Sequence, residues 1–385
     1  MDFSVSKSEL KNAVGLVRKA LPKVILSEER GHLLFKFEGS KLKVSGTNND
    51  LMAFYLLDAT HSEPFSFTCD PKSFEKYMSK SETEDVSGEL DPEKLILKFY
   101  TTEDKKSFLS FQSFPTQKML TFDKSYSLPK ENQKILDRNM LLKALKFTSA
   151  YLLPAKEEGR NNDYLILHEK VVYGGNGINR RGYFVSNEFS NIKNLKIRKL
   201  VVPALLSCLD KLETEKVTIF ENSKIVGLEI DNKFFFGFLK SDIVPPKMPL
   251  DFLKKDGPFT RVNKNVLVKR LDRLVVANTS LGRVGIKVKL SGFKADAKIS
   301  LSLLDELEST EEISCERVND ESHEEFDHIV EYKMLKEMIG VFSSGEDIDF
   351  YINKLDRAFK IYEVGKVEEE KYIAVGAGSY ARVVG

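Results

Sequence analysis

The sequence predicts an α+β protein in which one module is written six times, an amphipathic helix followed by about three short antiparallel strands. Three observations carry this expectation. Helix-like segments begin near Ser6, Pro71, Asp137, Val202, Asn263 and Glu331, at a period of about sixty residues. After most of them the apolar residues alternate, as strands with one covered face require. Asn, Asp or Gly bound those runs and supply turn chemistry. Taken in consecutive pairs, the modules predict three similar domains, 1–125, 126–250 and 251–385.

In the first module Leu10, Val14, Val17 and Leu21 recur at helical spacing, while Lys7, Lys11 and Arg18 form a second, basic stripe. Pro22 stops that helix, and strands are expected at Leu33–Phe37, Leu42–Val44 and Leu51–Leu57. Asp70-Pro71 is a helix-entry pair and places Lys72, Lys76 and Lys80 at four-residue steps on one face. Strands at Leu95–Tyr100 and Phe108–Phe111 complete the pair. Gln112–Lys134, with Pro115 and Pro129 and no helical period, reads as a linker.

The second pair opens with a helix over Asp137–Ala150, with Leu141, Leu145 and Thr148 inward and Arg138, Lys143 and Lys146 polar. Strands follow at Tyr164–His168, Val171–Tyr173 and Gly182–Ser186, the last two joined by the glycine-rich loop Gly174–Arg181. A mostly apolar helix over Val202–Leu212 precedes strands at Val217–Phe220, Ile225–Ile230 and Phe234–Leu239. The prolines of Ser241–Pro249 end the domain. The third pair runs from a helix over Asn263–Ala277 through strands near Val284–Leu290 and Ala295–Leu303 into an acidic stretch, Asp305–Glu325. A helix over Tyr332–Phe342 and strands at Ile348–Ile352, Ala358–Tyr362 and Tyr372–Val375 complete the pattern.

Composition narrows the function class. With 42% apolar residues, each domain has enough to bury a core, which argues against disorder. The 59 Lys and Arg nearly cancel 58 Asp and Glu, so any nucleic-acid contact must come from local sorting of charge. Cys69, Cys208 and Cys315 lie far apart without metal-ligand spacing, and Met1–Leu10 carries no apolar signal segment, which points to a reducing cytoplasmic compartment. No window approaches the roughly eighteen apolar residues that a membrane-spanning helix needs.

Several strings, in order and spacing, resemble the bacterial-type DNA polymerase sliding clamp, the beta-subunit family, over essentially the whole chain. Phe3-Ser4-Val5-Ser6-Lys7-Ser8-Glu9-Leu10 resembles its opening strand and first helix, and Leu42–Leu51 its strand, turn and strand. Asp242-Ile243-Val244-Pro245-Pro246 resembles the connection after its second domain, and Leu281–Val288 the beginning of its third. Glu324-Glu325-Phe326 followed by Tyr332–Met338 resembles its acidic strand entering the last helix.

The resemblance implies a DNA clamp fold, three similar domains each of two helix-plus-antiparallel-sheet modules, closing into a ring on head-to-tail homodimerisation. It implies a processivity factor that encircles duplex DNA and tethers a replicative polymerase, a clamp loader and other replication proteins without base specificity. No catalysis, cofactor or membrane belongs to that picture. Its place is the cytoplasm at the nucleoid, or the host cytoplasm for a phage-encoded member. The alternative is a clamp-like protein-binding scaffold that does not encircle DNA.

On this reading Lys7, Lys11, Arg18, Lys72, Lys76, Lys80, Arg138, Lys143, Lys146, Lys264, Lys269, Arg273, Lys333 and Lys336 are the candidate phosphate contacts. Charged helix faces are also ordinary solvated surface, so the group carries more than its members. Carried onto matching positions, the family's partner-peptide cleft would use Thr148, Asn179, Arg180, Arg181, Pro245, Pro246, Ala374, Val375, Gly376 and Ala377. This chain departs from the family in its near-neutral charge and in its tail, where Ala374-Val375-Gly376-Ala377-Gly378 replaces a Met-Pro-Met-Arg-like ending. Both fit a divergent or phage-encoded member with altered partner preference. Phe74 and Met78 suit either ring closure or core packing.

Enzymatic and metal readings find little support in the residues. His323 and His328 lack zinc-ligand spacing, and Gly174–Gly182 has no Lys followed by Ser or Thr, so it is not a P-loop. Asp347 and Asp349 share one side of a strand, but paired carboxylates alone establish no chemistry.

Overall fold

The computed structural model describes residues 1–21, 31–48, 50–118, 123–152, 164–175, 180–240, 259–276, 285–292, 296–303, 309–318, 326–342, 347–353, 358–364 and 370–377. The first pair of modules forms β1 (Asp2–Ser6), α1 (Lys7–Val17), β2 (Leu33–Glu38), β3 (Lys41–Thr47), β4 (Leu51–Asp58), β5 (Thr60–His61), β6 (Phe65–Cys69), α2 (Pro71–Lys80), β7 (Asp85–Asp91), β8 (Ile96–Tyr100) and β9 (Phe108–Gln112). The second forms α3 (Asp123–Tyr126), β10 (Glu131–Asp137), α4 (Arg138–Ser149), β11 (Tyr164–His168), β12 (Val171–Gly175), β13 (Arg180–Ser186), β14 (Leu195–Arg198), α5 (Val202–Lys211), β15 (Lys216–Glu221), β16 (Ile225–Ile230) and β17 (Phe234–Leu239). The third forms β18 (Phe259–Asn263), α6 (Lys264–Val276), β19 (Gly285–Ser291), β20 (Ala297–Leu303), β21 (Thr310–Val318), β22 (Phe326–Glu331), α7 (Tyr332–Gly340), β23 (Asp347–Asn353), β24 (Ala358–Glu363) and β25 (Glu370–Ala377).

Each of the six expected helices begins where its sequence pattern predicts, and local chemistry explains the starts. Pro71 occupies the first turn of α2, and the Asp70 carboxylate accepts the Ser73 N–H at 2.8 Å. In α4, Asp137 does the same for the Met140 N–H at 2.7 Å. The module also has a leading strand that periodicity missed. β1, β6, β10 and β18 each run directly into a helix or reach it within a residue, and several are short or polar, as in β10, where only Leu136 is buried. The expected acidic stretch is corrected too. Within it β21 turns Ile313, Cys315 and Arg317 inward and Glu312, Ser314 and Glu316 outward, while Glu311, on the inward side, pairs with Arg270 of α6.

Two compact units emerge, residues 1–142 with 200–241 and residues 143–199 with 242–385, the division passing through α4. The first holds a five-stranded sheet, β5-β1-β7-β8-β9, and an eight-stranded sheet, β10-β15-β16-β17-β4-β3-β2-β6. Pairing of β17 with β4, Phe235 opposite Phe54, joins the fourth module to the first. Much of its core is phenylalanine: Phe35 stacks on Phe67 at 4.7 Å, Phe37 on Phe65 at 4.6 Å, and Phe3 meets Phe99 edge-on. Phe74 and Met78 lie in that core, so packing accounts for them. The expected linker is pinned down as well, because Lys130 meets Glu229 at 2.5 Å and lies over the Tyr126 and Phe220 rings.

The second unit is built on one twelve-stranded sheet, β14-β11-β12-β13-β25-β24-β23-β18-β21-β20-β19-β22. Here β13 pairs with β25, joining the third module to the sixth through Arg180 opposite Gly376, Arg181 opposite Val375 and Gly182 opposite Ala374. Asp349 is fully buried and receives Arg261 through two bonds, 2.9 and 3.3 Å, while Asp347 accepts from Asn263. These carboxylates hold β18 to β23. Sheet pairing between distant modules thus gathers the chain into units that do not coincide with its consecutive pairs.

Candidate nucleic-acid interface and partner cleft

The predicted basic residues divide by what holds them. In the first unit Lys11, Lys72, Lys76 and Lys80 are exposed on α1 and α2. Lys7 instead donates to the Ser81 carbonyl at 2.6 Å, and Arg18 pairs with Glu75, tying the end of α1 to α2. Arg138 spans the C-terminal end of α5, donating to the Leu209 and Thr214 carbonyls at 3.1 and 3.2 Å.

In the second unit Lys143 and Lys146 of α4, Lys269 and Arg273 of α6, and Lys333 of α7 are exposed. Lys264 is buried, its ammonium donating to the Phe342 carbonyl, and burial holds its pKa below the ordinary lysine range. Lys336 is bound to Asp272 at 2.6 Å, with the Tyr332 hydroxyl on the same carboxylate oxygen at 2.7 Å. The Lys336 bond, then the Tyr332 bond, hold the Asp272 carboxyl below its usual range. Nine of the predicted cations are therefore exposed on helix surfaces, and the other five are half-buried or buried and held by the contacts just described.

Two cations that helical periodicity did not single out belong to the first unit. Lys19 follows α1 in a single 3-10 turn, Arg18–Ala20, and Lys211 ends the mostly apolar α5. The Lys211 ammonium rests 3.9 Å from where a side chain on Gly15 would begin. A basic residue at or just beyond the end of an amphipathic stretch is their only sequence signal.

Among the residues proposed from sequence for a partner cleft runs a row of small residues, Gly174, Gly182 and Ala374, aligned across β12, β13 and β25. The end of α4 settles against this row. A Cβ at Gly174 would stand 2.2 Å from the Thr148 carbonyl oxygen, and one at Gly182 would stand 2.1 Å from the Tyr151 ring. Tyr151 is buried and donates its hydroxyl to the Met338 carbonyl of α7 at 3.2 Å. The Thr148 hydroxyl turns back to the Ala144 carbonyl at 2.7 Å, so this side chain serves its own helix. Arg180 pairs with Glu337 and is mostly covered, and the Arg181 side chain lies with the Tyr173 hydroxyl over Gly175. These arginines are thus built into the sheet's surroundings. Gly376 lies against the Phe359 ring, while Asn179, Pro245 and Pro246 fall outside the described residues, as do the side chains of Ala374, Val375 and Ala377.

Among the described residues no cluster of three or more His, Cys, Asp or Glu is placed to hold a metal ion. Burial pushes the Cys208 thiol up to about 12 and the Cys315 thiol up to about 11, the opposite of what activates a nucleophile. No described helix is long and apolar enough to cross a membrane.

No protein-family model matches the chain, and no curated protein does. Solved structures do match it. The DNA polymerase III subunit beta from Pseudomonas aeruginosa has a TM-score of 0.80 at 14% identity, covering 99% of this chain and 100% of that one. The DNA polymerase sliding clamp from Caulobacter crescentus matches with 0.79 at 16% identity over 99% and 100% of the two chains. The DNA polymerase III beta subunit from Thermotoga maritima matches with 0.78 at 14% identity over 99% of each. Such low identity leaves backbone path and strand order as the shared feature, and over nearly its whole length this chain has the fold of the DNA polymerase III beta-subunit sliding clamps.

Proposed function

We propose that this protein is a DNA polymerase processivity factor, a non-catalytic sliding ring that encircles duplex DNA and tethers replication proteins to it. The observation that carries the reading is the full-length agreement of fold with polymerase III beta subunits, whose names place them at a polymerase. Three domains bounded near residues 125 and 250 would repeat the two-module pattern, and two chains would meet head to tail. The exposed cations of α1, α2, α4, α6 and α7 would face the duplex. Contacts limited to phosphates position a protein without reading sequence, which is what sliding requires. The burial or half-burial of Lys7, Arg18, Arg138, Lys264 and Lys336 leaves a sparser exposed basic surface, in keeping with the chain's near-neutral charge.

For ring closure, β9 is an edge strand that exposes Phe108 and Leu109 at 48% and 41%, a surface that a monomer leaves open to pairing. We assign its counterpart to the third domain of a second copy, where α6 exposes Val266 and Val276. The polymerase and loader would dock as short peptides at the cleft around Arg180, Arg181 and Gly376, with a lip less bulky than the family's. The proposed location is the cytoplasm, at the nucleoid.

The test is retention on circular against linear duplex after loading, with mass by light scattering. Retention on circles, release on linearisation and a two-chain mass are expected. Protein that is loaded or opened and reclosed yet stays monomeric, with no dependence on DNA topology, would instead favour the protein-binding scaffold.

A further inference from the structure

We propose that Lys7, Arg138 and Lys264 are positioning residues, one in each consecutive pair of modules, that fasten the start of the pair's first helix to the end of its second and do not contact phosphate. Three of the predicted phosphate contacts thereby leave that group.

The same corner is built three times. Each pair's leading strand ends opposite the first residue of the strand that follows the second helix: Ser6 faces Asp85, Asp137 faces Lys216 and Asn263 faces Asp347. The next residue opens a helix, and in α1, α4 and α6 it is a cation, Lys7, Arg138 and Lys264. The second helices, α2, α5 and α7, open on Pro71, Val202 and Tyr332 instead. A cation is out of place in a first turn, where the helix dipole is positive. Carbonyls at the end of a neighbouring helix lack intrahelical partners and carry the negative end of that dipole.

Each cation crosses to such an end. The Lys7 ammonium donates to the carbonyl of Ser81, the residue that follows α2, at 2.6 Å. Arg138 donates from Nη1 to the Leu209 carbonyl in the last turn of α5 at 3.1 Å, and from Nε to the Thr214 carbonyl beyond it at 3.2 Å. Lys264 donates to the Phe342 carbonyl just past α7. The backbone repeats the link in the first two pairs. There the Lys7 N–H donates to the Glu84 carbonyl at 3.1 Å and the Arg138 N–H to the Glu215 carbonyl at 2.8 Å, in the residues immediately before β7 and β15. The matching residue of the third pair lies outside the described residues. Lys7 and Arg138 are half-buried and Lys264 is buried. A hydrogen bond from a charged donor is among the stronger single contacts in a fold, so each cation stays with its carbonyl.

The experiment is hydrogen exchange by mass spectrometry on the full chain, with Lys7→Met, Arg138→Met and Lys264→Met, which keep an unbranched side chain and remove the charge. Exchange should rise about tenfold, the factor that loss of one charge-assisted hydrogen bond gives, in residues 77–84 for Lys7→Met, 208–215 for Arg138→Met and 338–342 for Lys264→Met. In each variant the other two stretches should keep wild-type protection. Lys7→Arg and Arg138→Lys should restore most of what is lost, because either cation reaches a carbonyl. The same proteins are titrated with duplex against salt beside Lys72→Ala, whose side chain is exposed, an arm that rests on the duplex-binding reading above. The slope of log affinity against log salt should be unchanged in the three methionine variants and lower by about 0.9, one phosphate's worth, in Lys72→Ala. Unchanged exchange in Lys7→Met, or exchange raised equally over all three stretches, would overturn the clasp. A slope lowered by about 0.9 in any of the three would return that residue to the phosphate contacts and overturn its assignment. Wild-type protein that binds no duplex would sink the duplex reading, while the exchange pattern still decides the clasp, so the two failures are distinguishable.

Discussion

Replacing Gly174 or Gly182 with alanine adds one methyl group where the end of α4 settles on the sheet, and the two should behave differently. At Gly174 the new Cβ would lie 2.2 Å from the Thr148 carbonyl oxygen and 2.9 Å from its carbon, both backbone atoms at the end of α4. At Gly182 it would lie 2.1 Å from Cδ2 of Tyr151, a side-chain atom. Overpacking of a tight core costs about 1–3 kcal/mol, and more where backbone must move. Gly174→Ala should therefore fall at or above about 3 kcal/mol. Tyr151→Ala alone should cost about 3–5 kcal/mol, since it empties the space of a buried ring and removes the bond to Met338. Combined with it, Gly182→Ala should cost little more, because the clashing atoms are gone. The coupling energy would be about 1–3 kcal/mol in the favourable direction. Gly174→Ala should show no such relief from Tyr151→Ala. The assay is urea unfolding followed by tyrosine fluorescence, comparing midpoints at constant slope. A Gly174→Ala midpoint equal to wild type, or equal relief by Tyr151→Ala at both glycines, would refute the close approach of α4 to this sheet.

Further expectations concern the ion pairs and the open edge. Arg261→Ala removes both bonds to the fully buried Asp349 and should destabilise the chain by about 3 kcal/mol, read as a lower denaturation midpoint, whereas a loss under about 1 kcal/mol would mean the pair is incidental. Because the Asp272 carboxyl is held below its usual range when folded, its contribution is present above the ordinary carboxylate pKa of about 3.9 and is lost as pH falls through the lower folded value. Asp272→Asn should flatten stability against pH in that acid window, and it should also lessen the alkaline loss of stability that follows from Lys336, whose pKa the bond to Asp272 raises. Phe108→Ala combined with Leu109→Ala should weaken self-association at least about tenfold by sedimentation, with the unfolding midpoint of the monomer nearly unchanged. An unaltered dimer would exclude β9 from the closing surface.

Local pattern made the helices legible. The recurrence of Leu10, Val14 and Val17 places α1, and the Asp70-Pro71 pair marks the start of α2 within a residue. The strands Tyr164–His168, Ile225–Ile230 and Phe234–Leu239 have the bounds that alternation and turn residues predict. Leading strands such as β10 and β18 were not legible, because a strand of mixed polarity borrows its stability from a neighbour that the local window does not contain. In the candidate site the basic stripe was visible residue by residue, but its division was not. Lys264 and Lys269 have the same residue type on one helix, and only packing decides that one is buried against the Phe342 carbonyl while the other is exposed.

By itself the sequence determined the repeating module, the helix positions, the neutral overall charge and the glycines at which backbone can approach backbone. Tertiary structure alone decided that β17 pairs with β4 and β13 with β25, that Arg180 is engaged by Glu337, and that Lys211 of another module lies beside Gly15. The physical reason is range. Periodicity and capping are settled by neighbours within a turn or two of the chain, whereas strand pairing and charge convergence depend on which distant surfaces bury one another.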